Sequence, residues 1–181
     1  MSTQWEPLKN RESVKAGCDE WIAKLLSKAD RGDLRRAANV EALYANESVY
    51  KLEQRLGSSK GNDDSDRFER IAGLAALLAT LKAPNEKSMA ARAGSKDANN
   101  SPKFSRARVG KLFAAPDINK RLRAFRELLR ILDNSADAGD VAEYFLHWQD
   151  AKVRWRFARS YFNPVQSDDD SAADSTVFPS P

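Results

Sequence analysis

The chain has 181 residues, of which 41% are hydrophobic, so it can bury one sizeable core or two small ones and is not a peptide-sized module. Its formal net charge is +4, but residues 1–162 contain 30 basic and 22 acidic residues, a net charge of +8. A body this basic favours a polyanionic partner over a neutral or acidic one.

Cysteine content and hydropathy exclude several classes of protein. Cys18 is the only cysteine, so an intrachain disulfide and a multi-cysteine zinc site are excluded. The start of the chain has no apolar run behind its charges, and the longest apolar stretch, residues 74–81, is far too short to span a bilayer. We therefore expect a reducing, cytoplasmic location without a membrane contact.

The first half of the chain has helical periodicity. Apolar residues return every three or four positions, and no segment alternates in the manner of a strand. This pattern predicts helices around Trp21, Ile22, Leu25 and Leu26, around Leu43, Tyr44, Val49, Leu52 and Leu56, and around Phe68, Ile71, Leu74, Ala75, Leu78 and Leu81. Two basic groups accompany them, Arg35 with Arg36 in GDLRRAAN and Arg67 with Arg70 in SDRFERIAG.

Polar breaks divide the helices. Residues 57–66 form one break, and a longer one at 82–103 is nearly empty of large apolar residues. Since a structureless loop of that length is uncommon inside a compact domain, we predict an all-α protein of two small helical domains joined by a flexible polar linker. The N-terminal helical domain covers 1–82, the linker 83–102, the C-terminal helical bundle 103–163, and a disordered acidic tail 164–181.

Residues 103–130 form the densest positive stretch, with nine basic residues against Asp117 and Glu127. Pro116 and Asp117 suit a helix start. In the helix that follows, one side is predicted to carry Ile118, Leu122, Phe125, Leu129 and Leu132, and the opposite side Arg123, Arg126 and Arg130. In the preceding segment FSRARVGKLFAA, Arg106, Arg108 and Lys111 accompany an inward face of Val109, Leu112 and Phe113.

The last helical segment, DAKVRWRFARSYF, interleaves basic and aromatic residues. Counted from Trp148, one apolar stripe contains Tyr144, Ala151, Trp155, Ala158 and Phe162, and a second contains Val153, Phe157 and Tyr161. A helix with two apolar faces lies between layers or offers one face to a partner, so the aromatic residues are interpreted as packing. The candidates for phosphate are then Lys152, Arg156 and Arg159 on one flank and Arg154 on the other.

Catalysis has little support in the sequence. His147 is the only histidine and is interpreted as a partly buried, hydrogen-bonded residue, and no nucleophile, metal or phosphate-loop motif surrounds it or Cys18. The aspartates of residues 63–66 and 168–170 lack partner ligands at metal-site spacing. We therefore expect no enzyme activity, no cofactor and no metal. For the basic helix faces the alternative to phosphate binding is plain exposure to solvent, which is common for a single such face.

Four segments occur along the chain in this order: GDLRRA, DRFERIAGLAALLA, FSRARVGKLFAAPDINKRLRAFRELLRIL and VAEYFLHWQDAKVRWRFARSYF. Together they resemble the small subunit of the type I-E CRISPR Cascade complex, the CasB family. The similarity covers most of residues 17–162. It lies in the order and spacing of helix patterns, of which the FRELLR stretch and the Trp-rich final helix are the strongest. The polar linker and the tail from Asn163 onward have no counterpart.

This resemblance implies a non-catalytic, all-α protein of two helical domains, present in two copies beside the backbone and large subunits. Its basic faces would hold guide RNA and target DNA by their backbones, and above all the displaced non-target strand of the R-loop. Carried over by motif, the nucleic-acid-binding residues are Arg35, Arg36, Arg67, Arg106, Arg108, Arg126, Lys152, Arg154 and Arg156, to which the helix faces add Lys111 and Arg123. Glu127 replaces a second arginine of the family pattern and removes a phosphate contact there.

Two other functions remain open from the sequence. A purely structural assembly protein would use its basic faces on acidic protein surfaces. A helix-turn-helix regulator would use FSRARVGKLFAAPDINKRLRAFRELL, with AAPD as the turn. Against the regulator, the second helix offers no Asn, Gln or Ser among Arg123, Arg126 and Arg130 for reading base edges.

Overall fold

A computed structural model describes residues 11–57 and 65–164. This part of the chain contains nine α-helices and no strand, which confirms the all-α prediction. The helices are α1 Arg11–Glu20, α2 Lys28–Arg36, α3 Glu47–Arg55, α4 Ser65–Leu78, α5 Met89–Gly94, α6 Arg106–Phe113, α7 Ile118–Ile131, α8 Ala138–Leu146 and α9 Ala151–Phe162. A π-helical turn, Trp21–Leu25, extends α1, and a short 3₁₀ turn, Glu41–Leu43, precedes α3.

Local sequence fixes where most of these helices begin. An N-cap side chain accepts a hydrogen bond from a backbone N–H of the first turn, which satisfies a donor that has no partner within the helix. The caps are Ser27 for α2, Asn46 for α3, Ser88 for α5, Ser105 for α6, Asp117 for α7, Asp137 for α8 and Asp150 for α9. The predicted start of α7 at Pro116 and Asp117 is therefore present.

Helix α4 lies at the centre of the packing. Every residue from 71 to 79 is buried, and the helix contacts α2, α3, α7 and α8. A single hydrophobic core contains residues of both predicted domains, such as Leu52 and Leu74 from the first and Phe125 and Phe145 from the second. The core is therefore shared across the predicted boundary, and a division into two domains is not seen.

The segment predicted to be a flexible linker contains α5, and this helix is packed. Met89, Ala90, Ala93 and Gly94 are buried, and the helix lies against α9. A Cβ atom added at Gly94 would lie 2.7 Å from the carbonyl carbon of Tyr161, so the two backbones nearly touch. The sequence analysis did not predict this helix because small residues bury a helix by close backbone approach, which a search for large apolar side chains does not detect.

The C-terminal aromatic segment is two helices where one continuous pattern was expected. Helix α8 ends at Leu146, a turn contains Trp148, and Asp150 begins α9 as its N-cap. The stripe counted from Tyr144 and Trp148 through Phe162 is therefore interrupted, because the turn changes the direction of the chain. Apart from Pro164, the predicted acidic tail at 164–181 lies outside the described residues, as does most of the polar break at 57–66.

Candidate nucleic-acid interface

The eleven predicted contact residues fall into three groups. The first group is available at the surface. Its members are exposed or half-exposed and form no ion pair with any residue of the described part of the chain: Arg35 at the end of α2, Arg106 and Lys111 on α6, Arg123 on α7, and Lys152 and Arg154 on α9. Uncompensated cations of this kind are suited to phosphate contacts.

The second group is engaged in surface ion pairs. The Arg36 guanidinium lies 2.7 Å from the Asp33 carboxylate, and Arg108 Nε lies 2.6 Å from Glu127 Oε1. Arg156 Nη1 lies 2.6 Å from Glu143 Oε1. Exposed ion pairs of this type are weak, so a phosphate could compete for these arginines, but part of their charge is already neutralised. Glu127, which departs from the family pattern, is thus the partner of Arg108.

Arg126 belongs to a third group, which has structural contacts. Its two Nη atoms donate hydrogen bonds to the carbonyl oxygens of Ala37, at 2.6 Å, and Leu34, at 3.0 Å. These carbonyls lie at the C-terminal end of α2, where they have no partner within the helix. Arg126 therefore joins α7 to α2 and is not a free surface cation, in contrast to its predicted place beside Arg123 and Arg130. The reason is that it lies at the edge of the inward face of α7, from which its long side chain reaches under α2.

Arg67 is the second structural member. Only 6% of the residue is exposed, and its guanidinium donates to the carbonyl oxygen of Gly57, just after α3. The arginine thus joins the first turn of α4 to the chain just after the end of α3. The prediction placed it on the surface because it precedes the apolar run of α4, but a residue in the first turn of a helix that is buried along most of its length lies close to the interior.

The predicted inward faces of α6 and α7 are present. Val109, Leu112, Leu122, Phe125 and Leu129 are all buried. The end of α6 packs on the turn before α9, where the Trp148 indole donates to the Leu112 carbonyl at 3.3 Å. The start of α6 lies by the end of α9, because the Tyr161 hydroxyl donates to the Phe104 carbonyl at 2.6 Å. The two helices thus bring Arg106 next to the C-terminal end of α9.

Helix α9 has one buried and one exposed aromatic face. Val153, Phe157 and Tyr161 are buried, whereas Trp155 is 58% exposed and Phe162 57%. The Arg159 guanidinium lies over the Trp155 ring, 5.3 Å from its centroid. Of the two predicted apolar stripes, that of Val153, Phe157 and Tyr161 therefore packs inside the described chain and that of Trp155 and Phe162 is exposed. The exposed stripe is flanked by Lys152 and Arg159 on the same side of the helix.

The structure adds two arginines, Arg70 and Arg121, that were not in the predicted set and that lie near the predicted Arg154. Arg121 on α7 is 4% exposed, and the charges of Arg70 on α4 and Arg154 on α9 act on its guanidinium. Arg70 also donates to the Gln149 side-chain oxygen at 3.2 Å, which places it at the turn before α9. The signal in the sequence was a charged residue among the apolar positions of α7, since Arg121 falls beside Phe125 and Leu128 in the helical periodicity.

The helix-turn-helix interpretation conflicts with the surroundings of α7. In such a motif the start of the second helix enters the major groove. Here Asn119 accepts a hydrogen bond from the Val40 N–H at 2.9 Å and donates to the Glu41 carboxylate at 3.1 Å. Together with the Arg126 contacts to α2, this engages two residues of the α7 flank that would have to meet base edges.

Candidate catalytic groups are not assembled in the described residues. The Cys18 thiol is buried, which raises its pKa to about 12 and holds it in the unreactive protonated form. Burial lowers the pKa of His147, which lines a cleft of about 230 Å³ between α1, α8 and α9 together with Glu143 and Arg156. No group of three or more histidine, cysteine or acidic side chains in the described segments could hold a metal ion.

These features define a class, an all-α protein with exposed cations on several helices and one exposed aromatic stripe. The family model of the CRISPR-associated protein Cse2 matches residues 30–162, and the chain therefore belongs to that family, the small subunits of type I-E Cascade complexes. No curated protein and no solved structure matches the chain. None of the helices in the described ranges is long and apolar enough to cross a membrane.

Proposed function

We propose that the protein is a non-catalytic small subunit that holds nucleic acid by its backbone and stabilises the displaced non-target DNA strand of the R-loop in antiviral defence. The observation that carries this proposal is the set of six uncompensated cations, Arg35, Arg106, Lys111, Arg123, Lys152 and Arg154, on a chain of the Cse2 family. Lysine and arginine on helix faces bind phosphate without reading bases, which suits a complex whose sequence specificity comes from the guide RNA.

The energetic demand on such a subunit is modest. An RNA–DNA heteroduplex is about as stable as the DNA duplex that it replaces, so a few backbone contacts can shift the exchange. Each single-strand phosphate neutralised contributes a slope of about 0.7 in log affinity against log salt. Six free cations could therefore tip R-loop formation without base recognition, and their contribution would weaken steeply with salt.

The proposed partners are the guide RNA and target DNA, the backbone and large subunits, and a second copy of the chain, in the cytoplasm. The exposed stripe of Trp155 and Phe162 supports either a subunit contact or stacking on an unpaired base, which is worth about 1–3 kcal/mol per base. A purely structural assembly role remains the second candidate, because this apolar stripe suits a protein neighbour as well.

The test is a comparison within the assembled complex. The chain is co-expressed with the other Cascade subunits and a guide RNA, and the complex is purified through a different subunit. Target binding and nuclease protection of the displaced strand are then measured for the wild type and for an Arg106→Glu/Lys111→Glu variant. The matched control is Lys87→Glu/Lys96→Glu, which removes the same charge from exposed lysines outside the predicted set.

We expect both variants to join the complex and only Arg106→Glu/Lys111→Glu to lose protection of the displaced strand. Equal loss in both variants would mean that only net charge matters and would contradict an interface on α6. If the variants protect the strand as the wild type does, the structural assembly role is favoured. A wild-type chain that does not enter the complex would overturn the proposal.

A further inference from the structure

Arg121 is a buried cation without a partner. It is 4% exposed, its Nε is fully buried and donates no hydrogen bond to any of the described residues, and its guanidinium forms no ion pair there. Arg67 and Arg126 also have a buried Nε without a partner, but both donate from Nη to backbone carbonyls. Arg121 is therefore distinct among the buried arginines of this chain.

The neighbours of Arg121 increase its positive environment. Burial lowers the pKa of the Arg121 guanidinium, and the charge of Arg70 lowers it further, as does that of Arg154. Arg70 reaches the turn before α9 through its hydrogen bond to Gln149, and Arg154 lies in the first turns of α9. The charges of Arg70 and Arg154 thus both act on Arg121, where α4 packs on α7 and Arg70 reaches the turn that precedes α9.

One acidic group of the described residues acts on the Arg121 guanidinium. The Asp117 carboxylate acts on Arg121, but it also caps α7 through the Lys120 N–H at 2.8 Å and lies 3.7 Å from Lys120 Nζ. An arginine cannot lose its proton at any ordinary pH, and buried charges in proteins are normally paired. Arg121 therefore has no carboxylate of its own among the described residues, and a ligand can supply the missing anion.

We propose that Arg70, Arg121 and Arg154 form a binding site for one phosphodiester group of single-stranded nucleic acid. The half-exposed Arg70 and Arg154 would contact the phosphate oxygens from the surface, and Arg121 would stabilise the negative charge from beneath. The guanidinium fork matches the geometry of two phosphate oxygens. The identity of the ligand rests on the proposed function, whereas the anion site itself rests on the buried charge.

A phosphodiester fits better than the carboxylate of a neighbouring protein. Further uncompensated cations lie on the same helices and on α6, which packs against the turn before α9: Arg106, Lys111, Arg123 and Lys152. A nucleic acid strand carries one negative charge per phosphate and is bound by several cations in succession, whereas a single protein carboxylate is neutralised by one cation. The arginine cluster would then be one position along an extended backbone contact.

The first experiment uses the full chain and inorganic phosphate. Thermal unfolding is followed in phosphate and in chloride at equal ionic strength, for the wild type, Arg70→Gln, Arg154→Gln and the matched control Arg130→Gln, an exposed arginine on α7. We expect phosphate to raise the melting temperature of the wild type and the control, and this rise to be lost in the other two. If phosphate does not stabilise the wild type, or stabilises all four proteins alike, the site is overturned.

The second experiment measures the affinity for labelled oligothymidylate over a range of salt. Arg70→Gln and Arg154→Gln are each expected to lose about tenfold in affinity at low salt and about 0.7 of the salt slope, beyond the loss in Arg130→Gln. If phosphate stabilises the protein through these residues but oligothymidylate affinity does not depend on them, the ligand is a carboxylate or a free anion and the phosphodiester assignment fails. The proposed function is tested separately, by whether the wild-type chain joins the Cascade complex.

Arg121→Met separates a binding role from a structural one. Because the guanidinium has no partner to lose, its replacement by an apolar side chain of similar length is expected to leave the melting temperature in chloride at or above that of the wild type. The same variant should lose the stabilisation by phosphate. A lower melting temperature in chloride would show that Arg121 supports the fold, and it would overturn its assignment to the site.

Discussion

Replacement of Gly94 by alanine tests the packed state of residues 83–102. A methyl group there would overlap the Tyr161 carbonyl oxygen and lie 2.7 Å from its carbon, so α5 and α9 must separate by about 1.6 Å to restore an ordinary contact. Overpacking of this kind costs about 3 kcal/mol, and the helix propensity of alanine returns about 1 kcal/mol. The net loss of about 2 kcal/mol corresponds to about 4–8 °C in melting temperature for a chain of this size.

Urea unfolding followed by circular dichroism gives the free energy of unfolding of Gly94→Ala and of a matched control, Gly110→Ala. Gly110 lies within α6 with nothing within 4 Å of the added methyl group, so the control should gain about 0.5–1 kcal/mol from helix propensity alone. If Gly94→Ala is as stable as Gly110→Ala, the packing of α5 on α9 is refuted and residues 83–102 behave as the flexible linker that their composition suggests.

Arg126→Met is expected to lower the free energy of unfolding, measured in urea, by about 2–4 kcal/mol, because the last carbonyls of α2 lose their charged donors. The control Arg123→Met should stay within about 0.5 kcal/mol of the wild type, and equal effects of the two variants would contradict the structural role of Arg126. Trp148→Ala is expected to lower the free energy of unfolding by about 3–5 kcal/mol and Trp155→Ala by less than about 1 kcal/mol, because Trp148 is buried and Trp155 is exposed. The reverse order would contradict the assignment of the exposed face of α9. The Cys18 thiol, whose pKa rises from 9.0 to about 12, should resist alkylation at pH 8 until urea unfolds the chain. Its burial also predicts that the unfolding free energy falls as the pH rises from about 9 through about 12, because the folded state retains the proton; rapid native labelling would show that the thiol is accessible.

The inward faces of α6 and α7 could be predicted because helical periodicity is a local property. Leu122, Phe125 and Leu129 recur at spacings that only one side of a helix can collect, and the structure buries all three. The start of α7 at Asp117 was also readable, since an N-cap acts within its own first turn. Such features depend on neighbours a few residues away and require no knowledge of the rest of the chain.

The direction of individual arginines could not be read in the same way. Arg126 and Arg123 lie on the same flank of α7 by periodicity, yet the first caps α2 and the second is exposed. These two residues are three positions apart, and the small difference in their direction becomes decisive only when another helix packs at the edge of that face. The cation cluster around Arg121 likewise depends on three helices that are far apart in sequence.

By itself, the sequence determined the helical class, the inward faces, the excess of positive charge and the similarity to small Cascade subunits, because these follow from residue types and short spacings. Only the tertiary structure decided that α5 is packed, that one aromatic stripe of α9 is exposed, and which cations are uncompensated. Close backbone approach at Gly94 and hydrogen bonds such as that from Arg126 to Ala37 join residues distant along the chain. Their partners are fixed by packing, and no local pattern encodes them.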